Sequence, residues 1–163
     1  MTMTLQCCMV GSAQMFSKSG RRVILSTTGI LDVVTFLLVS CRAWDTVAED
    51  VRPRCFSLMD ASRTGWYVRH WAYNLRVDSE GETSDLPLFQ QDSSFILHVD
   101  SFYPGYYALE SINHVSHYAR MRDDGSLWVE PDDYYTSAYA DAASFQFYAY
   151  SMLRMYQLFL LRD

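Results

Sequence analysis

The most regular pattern along this chain is an alternation of apolar and polar positions in short runs between residues 55 and 150. In the run GWYVRH, the side chains of Trp66, Val68 and His70 alternate with those of Tyr67 and Arg69. A period of two residues is typical of β-strands, because successive side chains point to opposite faces of the sheet. We therefore predict a strand here.

The same alternation returns later in the chain. Leu127 and Val129 alternate with Trp128 and Glu130. The stretch 78–87, which lies between the two runs, contains Gly and Pro among Asp, Ser and Glu, a composition that favours turns. Most of the aromatic residues of the chain also fall in this part, and aromatic side chains favour strands. We predict an all-β body.

The body contains two related segments, at about 55–98 and 106–150. They align on a shared Tyr-x-Arg, at residues 67–69 and 118–120, and further matches follow at a near-constant spacing. Each segment supplies about four short antiparallel strands, and repeated units of this kind must bury their apolar faces against one another. The predicted fold is β-trefoil-like, with two recognisable four-stranded repeats and a third that is incomplete or absent.

The first 50 residues resemble a targeting segment more than part of a fold. Lys18, Arg21 and Arg22 precede a largely apolar run at 23–41, the order found in secretory signals. Asp32, in the middle of the run, argues against a permanent transmembrane helix more than against a transient signal. We predict a signal or anchor, and hence a secreted or cell-surface protein. The alternative is that the run is a buried strand or helix of the same domain.

Charge and cysteine content exclude several functions. The formal net charge is -6, with a balance of +3 in residues 1–43 and -9 in the rest, so the body is acidic and we expect no nucleic-acid partner. The four cysteines lie at positions 7, 8, 41 and 55, so no disulfide framework can run through the body. Their spacing lacks the pairs of a zinc site, and we expect neither a metal nor another cofactor.

Three motifs of the body resemble a known family. The runs GWYVRH, LRVDSEGE and LFQQDSSF are similar to the repeat of the arabinose-binding domain of α-L-arabinofuranosidase B. The resemblance covers about residues 55–148 and implies a β-trefoil of three repeats. The place of the third repeat would then be filled by residues 1–50, by the C-terminal segment 151–163 or by a second chain, or it would stay empty. In the last two cases, open strand edges would permit self-association.

The resemblance also implies a ligand, the arabinofuranose side branches of a polysaccharide or glycan. The family's ligand-binding histidine and aspartate match His70 and Asp92, with Asp78 and Tyr67 beside them. These residue types suit the task, because a carboxylate accepts hydrogen bonds from sugar hydroxyls and an imidazole donates or accepts one. Without the resemblance, the residues alone favour a structural role for His70, as a partly buried strand histidine that bonds to a neighbouring carbonyl.

The second segment departs from the motif at both of these positions. Met121 stands in place of the histidine and Ala142 in place of the aspartate, while Asp141 is one position away. We interpret this copy as a site that has lost its function. His114 and His117 precede the Tyr-x-Arg motif, and we expect them in an exposed loop.

The two arginines of the Tyr-x-Arg motifs, Arg69 and Arg120, have an expected structural role. They alternate along their strands with the candidate positions, and they could form ion pairs with acidic residues of a neighbouring repeat.

We expect no hydrolytic activity from this chain by itself. The sequence contains no Gly-x-Ser-x-Gly elbow and no Gly-rich phosphate loop, and it has no room for a separate catalytic domain beside the repeats. Two hypotheses remain: a carbohydrate-binding module, and a repeat-built structural or interaction protein whose sugar site has decayed. Side chains of His70 and Asp92 lying more than about 8 Å apart would favour decay, because one small sugar would not contact both.

Overall fold

The computed structural model describes residues 12–17, 36–132 and 136–149, with side chains for 36–132 and 136–147. Within these residues the chain forms ten strands, two short α-helices and three 3-10 turns. The strands are β1 (Ser12–Ser17), β2 (Phe36–Ser40), β3 (Cys55–Asp60), β4 (Trp66–Trp71), β5 (Asn74–Ser79), β6 (Phe95–Val99), β7 (Tyr107–Ser111), β8 (His117–Met121), β9 (Leu127–Pro131) and β10 (Phe145–Ala149). The helices are α1 (Leu86–Asp92) and α2 (Ser137–Ala142), and the 3-10 turns are Trp44–Thr46, Arg52–Arg54 and Glu80–Glu82. The prediction of an all-β body is confirmed.

The strands form one antiparallel sheet in the order β10-β1-β2-β3-β4-β5-β9-β8-β7-β6. Two further pairings, of β6 with β3 and of β10 with β7, link strands that are distant in this order. The hairpins β4–β5 and β8–β9 are paired along their whole length. Tyr67 lies opposite Asp78 in the first hairpin, and Tyr118 lies opposite Glu130 in the second. The predicted strands at both alternating runs are therefore present.

The segments 55–98 and 106–150 have the same order of elements. In each, three strands are followed by a short helix and a fourth strand, and each helix begins at a side-chain cap. Asp85 accepts a hydrogen bond from the amide of Leu88, and Thr136 accepts one from the amide of Tyr139. Such caps satisfy backbone donors that a helix leaves unpaired. The two helices lie in connections between strands, where the sequence analysis predicted no helix.

The hydrophobic core lies between the strands of both segments. Its residues include Leu58, Val68, Phe95, Leu109 and Phe145, each exposed by 2% or less. Burial of such a side chain contributes about 1.5–3 kcal/mol. The alternation seen in the sequence thus directs one face of each strand into a common interior.

Part of the N-terminal segment belongs to this sheet. β1 pairs with β10, and β2 pairs with β3 from Phe36 opposite Asp60 to Ser40 opposite Phe56. Phe36 is buried in the core, and a disulfide joins Cys41 to Cys55. Two strands of residues 1–50 therefore pair the outer edges of β3 and β10. Removal of a signal peptide is a processing event, and the predicted signal stays a prediction.

Other expectations fall on residues outside the described part of the chain. These are the basic residues at 18–22, most of the apolar run, and the tail 151–163. Of the described residues, none lies in a helix long and apolar enough to span a bilayer.

Candidate functional site

The two side chains singled out by the sequence meet at one end of the first segment. His70 is the penultimate residue of β4, and Asp92 is the last residue of α1. Their Nε2 and Oδ1 atoms are 3.3 Å apart, and the residues are 4% and 5% exposed. This distance is far below the separation that would favour a decayed site.

The cluster is completed by two residues that come from the other segment. Ser111 ends β7 and Asn113 lies in the turn that follows. The amide of Asn113 donates to Asp92 Oδ1 over 2.9 Å, and its oxygen lies 2.9 Å from His70 Nε2 and accepts a hydrogen bond from Ser111 over 2.8 Å. Because an amide oxygen only accepts, Nε2 is the protonated nitrogen of His70. We call these four residues the His70–Asp92 cluster.

On its other side, Asp92 faces a buried arginine. Arg69 Nη1 is 3.8 Å from Asp92 Oδ2, and Arg69 Nε bonds Asp78 Oδ2 over 2.8 Å. Asp78 also accepts from Arg76 over 2.7 Å. Asp78 is thus connected to the cluster only through Arg69, and it lines an open cavity of about 270 Å³ beside Trp71.

The expected ion pairs of the two arginines form within one hairpin instead of between repeats. Arg69 pairs with Asp78 across β4 and β5, and Arg120 pairs with Glu130 over 2.6 Å across β8 and β9. The expectation of partners in a neighbouring repeat is therefore wrong for these two pairs. The reason is register, because each acidic residue lies diagonally across the same pair of strands from its arginine.

Tyr67 lies apart from the cluster. It is three positions before His70 on the same strand, and an odd separation along a strand directs two side chains to opposite faces. Its ring packs edge-on against Phe89 of α1, with centroids 6.3 Å apart, and the Arg42 guanidinium lies 5.2 Å from the ring centre. Burial raises the pKa of the Tyr67 hydroxyl. Its surroundings are those of a packing residue.

An aromatic rim, formed by Tyr73, His114 and His117, borders the cluster at His70. The ring centroids of His70 and His114 are 5.0 Å apart, those of His114 and Tyr73 also 5.0 Å, and those of Tyr73 and His117 6.1 Å. Tyr73 is 45% exposed, and it has a φ of 68°, which is unusual for a bulky residue. Strained backbone of this kind is concentrated at ligand sites.

The expectation of an exposed loop for His114 and His117 is met only in part. His114 lies in the turn between β7 and β8, as expected, but His117 is the first residue of β8, and both side chains are partly buried. Burial lowers the pKa of His114, and the neighbouring His70 and His117 lower it further. Within the described part of the chain, no group of three or more histidine, cysteine or acidic residues could hold a metal ion.

The corresponding positions of the second segment carry no polar pair. Met121 is buried in the hydrophobic core, and Ala142 ends α2 as Asp92 ends α1. Asp141, one position earlier, is exposed. A methyl group and a thioether supply no strong hydrogen-bonding atoms for a sugar.

The fold is shared with several solved structures. A crystal structure of an arabinofuranosidase complexed with arabinofuranosyl-α-1,2-xylobiose matches with a TM-score of 0.65 at 17% identity, over 85% of this chain and 31% of that one. This chain thus spans about a third of that enzyme. The BEL β-trefoil matches with a TM-score of 0.59 at 10% identity, over 90% of this chain and 97% of that one. SeviL, bound to the asialo-GM1 saccharide, matches with a TM-score of 0.56 at 11% identity, over 88% and 100%.

These likenesses identify the fold as β-trefoil-like, in agreement with the sequence. No curated protein sequence matches the chain. The profile of the α-L-arabinofuranosidase B (ABFB) domain matches residues 16–147, which is most of the sequence. The chain therefore belongs to the α-L-arabinofuranosidase B (ABFB) domain family.

Proposed function

We propose that this protein is a carbohydrate-binding module that binds arabinofuranose side chains of a polysaccharide at the His70–Asp92 cluster. Membership of the ABFB domain family and the likeness to arabinofuranosidases support an arabinose-binding module. The observation that carries the proposal is the 3.3 Å approach of His70 Nε2 to Asp92 Oδ1 beside a rim of aromatic rings. The proposal assigns no hydrolytic step to this chain.

A sugar would enter from the side where Tyr73 is exposed and Asn113 is partly exposed. A carboxylate oxygen can accept more than one hydrogen bond, so Asp92 Oδ1, which accepts from Asn113 over 2.9 Å, can also accept from a sugar hydroxyl. A sugar hydroxyl can donate to that oxygen and another can exchange a hydrogen bond with the Asn113 amide. The ring of Tyr73 can cover the C–H face of the sugar.

One observation favours the second candidate function, a structural role. His70 and Asp92 are almost completely buried, and Asn113 and Ser111 already bond to the cluster. In that case the cluster would simply hold the two segments together. The two candidates differ in whether the protein binds a sugar at all.

Titration with an arabinofuranosyl oligosaccharide, followed by calorimetry or chemical-shift mapping, tests the proposal. We expect a dissociation constant of about 0.1–10 mM, because a small furanose buries few atoms. Asp92→Ala should abolish measurable binding, and Asp92→Asn, which keeps the shape, should weaken it about tenfold through loss of a charged acceptor. The matched control is Asp141→Ala, which should bind as the unaltered protein does.

The outcomes separate the two candidates. Loss of binding in Asp141→Ala with retention in Asp92→Ala would contradict the assignment of the site. A folded protein that binds no arabinofuranoside would favour the structural role.

Two further parts of the proposal concern the setting of the protein. We propose a secreted or cell-surface location, which follows from the basic and apolar order of the N-terminal residues. Mass spectrometry of the product from a secreting host tests it, because an intact Met1 in the folded protein would contradict cleavage. Self-association through strand edges is proposed only for forms that lack β1 and β2, since these strands pair the edges of β10 and β3.

A further inference from the structure

A second cavity adjoins the aromatic rim. It lies between the turn of the β4–β5 hairpin and the β8–β9 hairpin, and its volume is about 230 Å³. Tyr73 and His117, which belong to the rim, form one wall, and Trp128 and Pro131 of β9 contribute another. The cavity and the aromatic rim of the His70–Asp92 cluster therefore share two side chains.

We propose that this cavity binds a second sugar residue, the one to which the terminal arabinofuranose is attached. The inference rests on the proposed function, because it assumes that the arabinofuranose occupies the His70–Asp92 cluster. Drug-sized ligands fill cavities of about 300–1,000 Å³, so the smaller space here suits a single sugar ring.

The lining of the cavity matches the two surfaces of a sugar. The ring of Tyr73 and the face of the Trp128 ring that Arg122 leaves uncovered are apolar surfaces against which the C–H face of a sugar packs. Arg122 and Glu130 also line the cavity, and they offer a donor and an acceptor for hydroxyl groups. A wall of aromatic rings with a few polar groups is the usual composition of a small-molecule site.

The walls are already fixed before a ligand arrives. The Arg122 guanidinium lies 3.9 Å from the centre of the Trp128 ring and pairs with Glu130 over 2.6 Å. The indole N–H of Trp128 donates to Ser126 over 2.9 Å. Side chains held in this way lose little freedom on binding, so more of the contact energy is available as affinity.

The turn that carries Tyr73 is also attached to the second hairpin. The carbonyl of Tyr73 accepts a hydrogen bond from the amide of Val129 over 2.7 Å. This bond holds the strained turn against β9 and keeps the exposed Tyr73 ring between the cluster and the cavity. The geometry thus joins two sugar positions across one aromatic side chain.

The experiment compares two ligands on the full chain by calorimetry: methyl α-L-arabinofuranoside and an arabinofuranosyl xylobiose. We expect the oligosaccharide to bind roughly three- to tenfold more tightly, the gain of one aromatic contact. Trp128→Ala should remove this preference and leave the affinity for the methyl glycoside unchanged. The matched control is Trp71→Ala, because Trp71 is an exposed tryptophan of the other hairpin and also has an arginine over its ring.

A measurement on the unaltered protein avoids any effect of substitution on folding. In NMR spectra, the indole N–H signal of Trp128 should shift with the oligosaccharide and stay in place with the methyl glycoside, while that of Trp71 should stay in place with both. Equal affinities for the two ligands, or an unshifted Trp128 signal, would overturn the second sugar position alone. If neither ligand binds, both this inference and the proposed function are wrong.

Discussion

Replacing Asp92 by Ala should destabilise the protein, whereas replacing Asp141 by Ala should not. Asp92 is 5% exposed, accepts a hydrogen bond from Asn113 over 2.9 Å and lies 3.8 Å from the guanidinium of Arg69. Its truncation leaves the Asn113 amide without this acceptor and removes one carboxylate from beside a buried cation. Asp141 lies in the comparable helix but is exposed.

The magnitude follows from which contacts are lost and which remain. A hydrogen bond to a charged group contributes about 1.5–3 kcal/mol. Complete loss of the partner of a buried charge costs about 3–5 kcal/mol, but Arg69 keeps Asp78 at 2.8 Å. We therefore expect the free energy of unfolding to fall by about 2–3 kcal/mol in Asp92→Ala. In Asp141→Ala, the change should stay below about 0.5 kcal/mol.

Urea unfolding followed by circular dichroism measures both values. The midpoint should move while the slope stays constant, because the area exposed on unfolding is nearly unchanged. Asp92→Asn should lie between the two, since its amide oxygen can still accept from Asn113. Equal stabilities of Asp92→Ala and Asp141→Ala would refute the hydrogen-bonded, buried carboxylate on which the site is built.

Three further outcomes are expected. Because the pKa of His114 is lowered in the folded protein, the unfolded chain binds more protons just below pH 6.5, and stability should fall as the pH drops through this range. In thermal unfolding, the melting temperature of His114→Gln should fall less over the same pH range. Replacing Cys41 and Cys55 by Ser should lower the free energy of unfolding by about 3 kcal/mol, because the disulfide closes a short loop with a sequence separation of 14, and urea unfolding with and without reductant checks this. Light scattering should show association of a fragment 55–163, because β3 and β10 lose the strands that pair their edges, and a cooperative monomer would contradict this.

Local periodicity was enough to predict β4 and β9. The alternation around Val68 and Val129 is a property of neighbouring residues, and both lie buried in β4 and β9. The short helices were less visible, because Asp85 and Pro87 are turn-forming residues that also begin helices. A basic stretch before an apolar run suggested a signal, although Phe36 from that run lies in the core.

The candidate site was predicted only as far as the motifs extend. His70 and Asp92 come from motifs of a single segment, and their approach was expected from the family resemblance. Asn113 and Ser111 come from a different segment, and no local pattern relates them to His70. The turn at Tyr73 has no Gly or Asn at its two central positions, so the usual sequence signature of such a tight hairpin is missing.

The crossing of Asn113 from one segment into the cluster of the other has a consequence for protein engineering. Segment 55–98, transplanted by itself into another scaffold, would bring His70 and Asp92 without the amide that bridges them. The second segment carries Met121 and Ala142 at its own motif positions, but its first turn still supplies Asn113 to the cluster of the first segment. The smallest transferable unit that keeps the His70–Asp92 cluster intact is therefore one segment plus the opening strand and turn of the next.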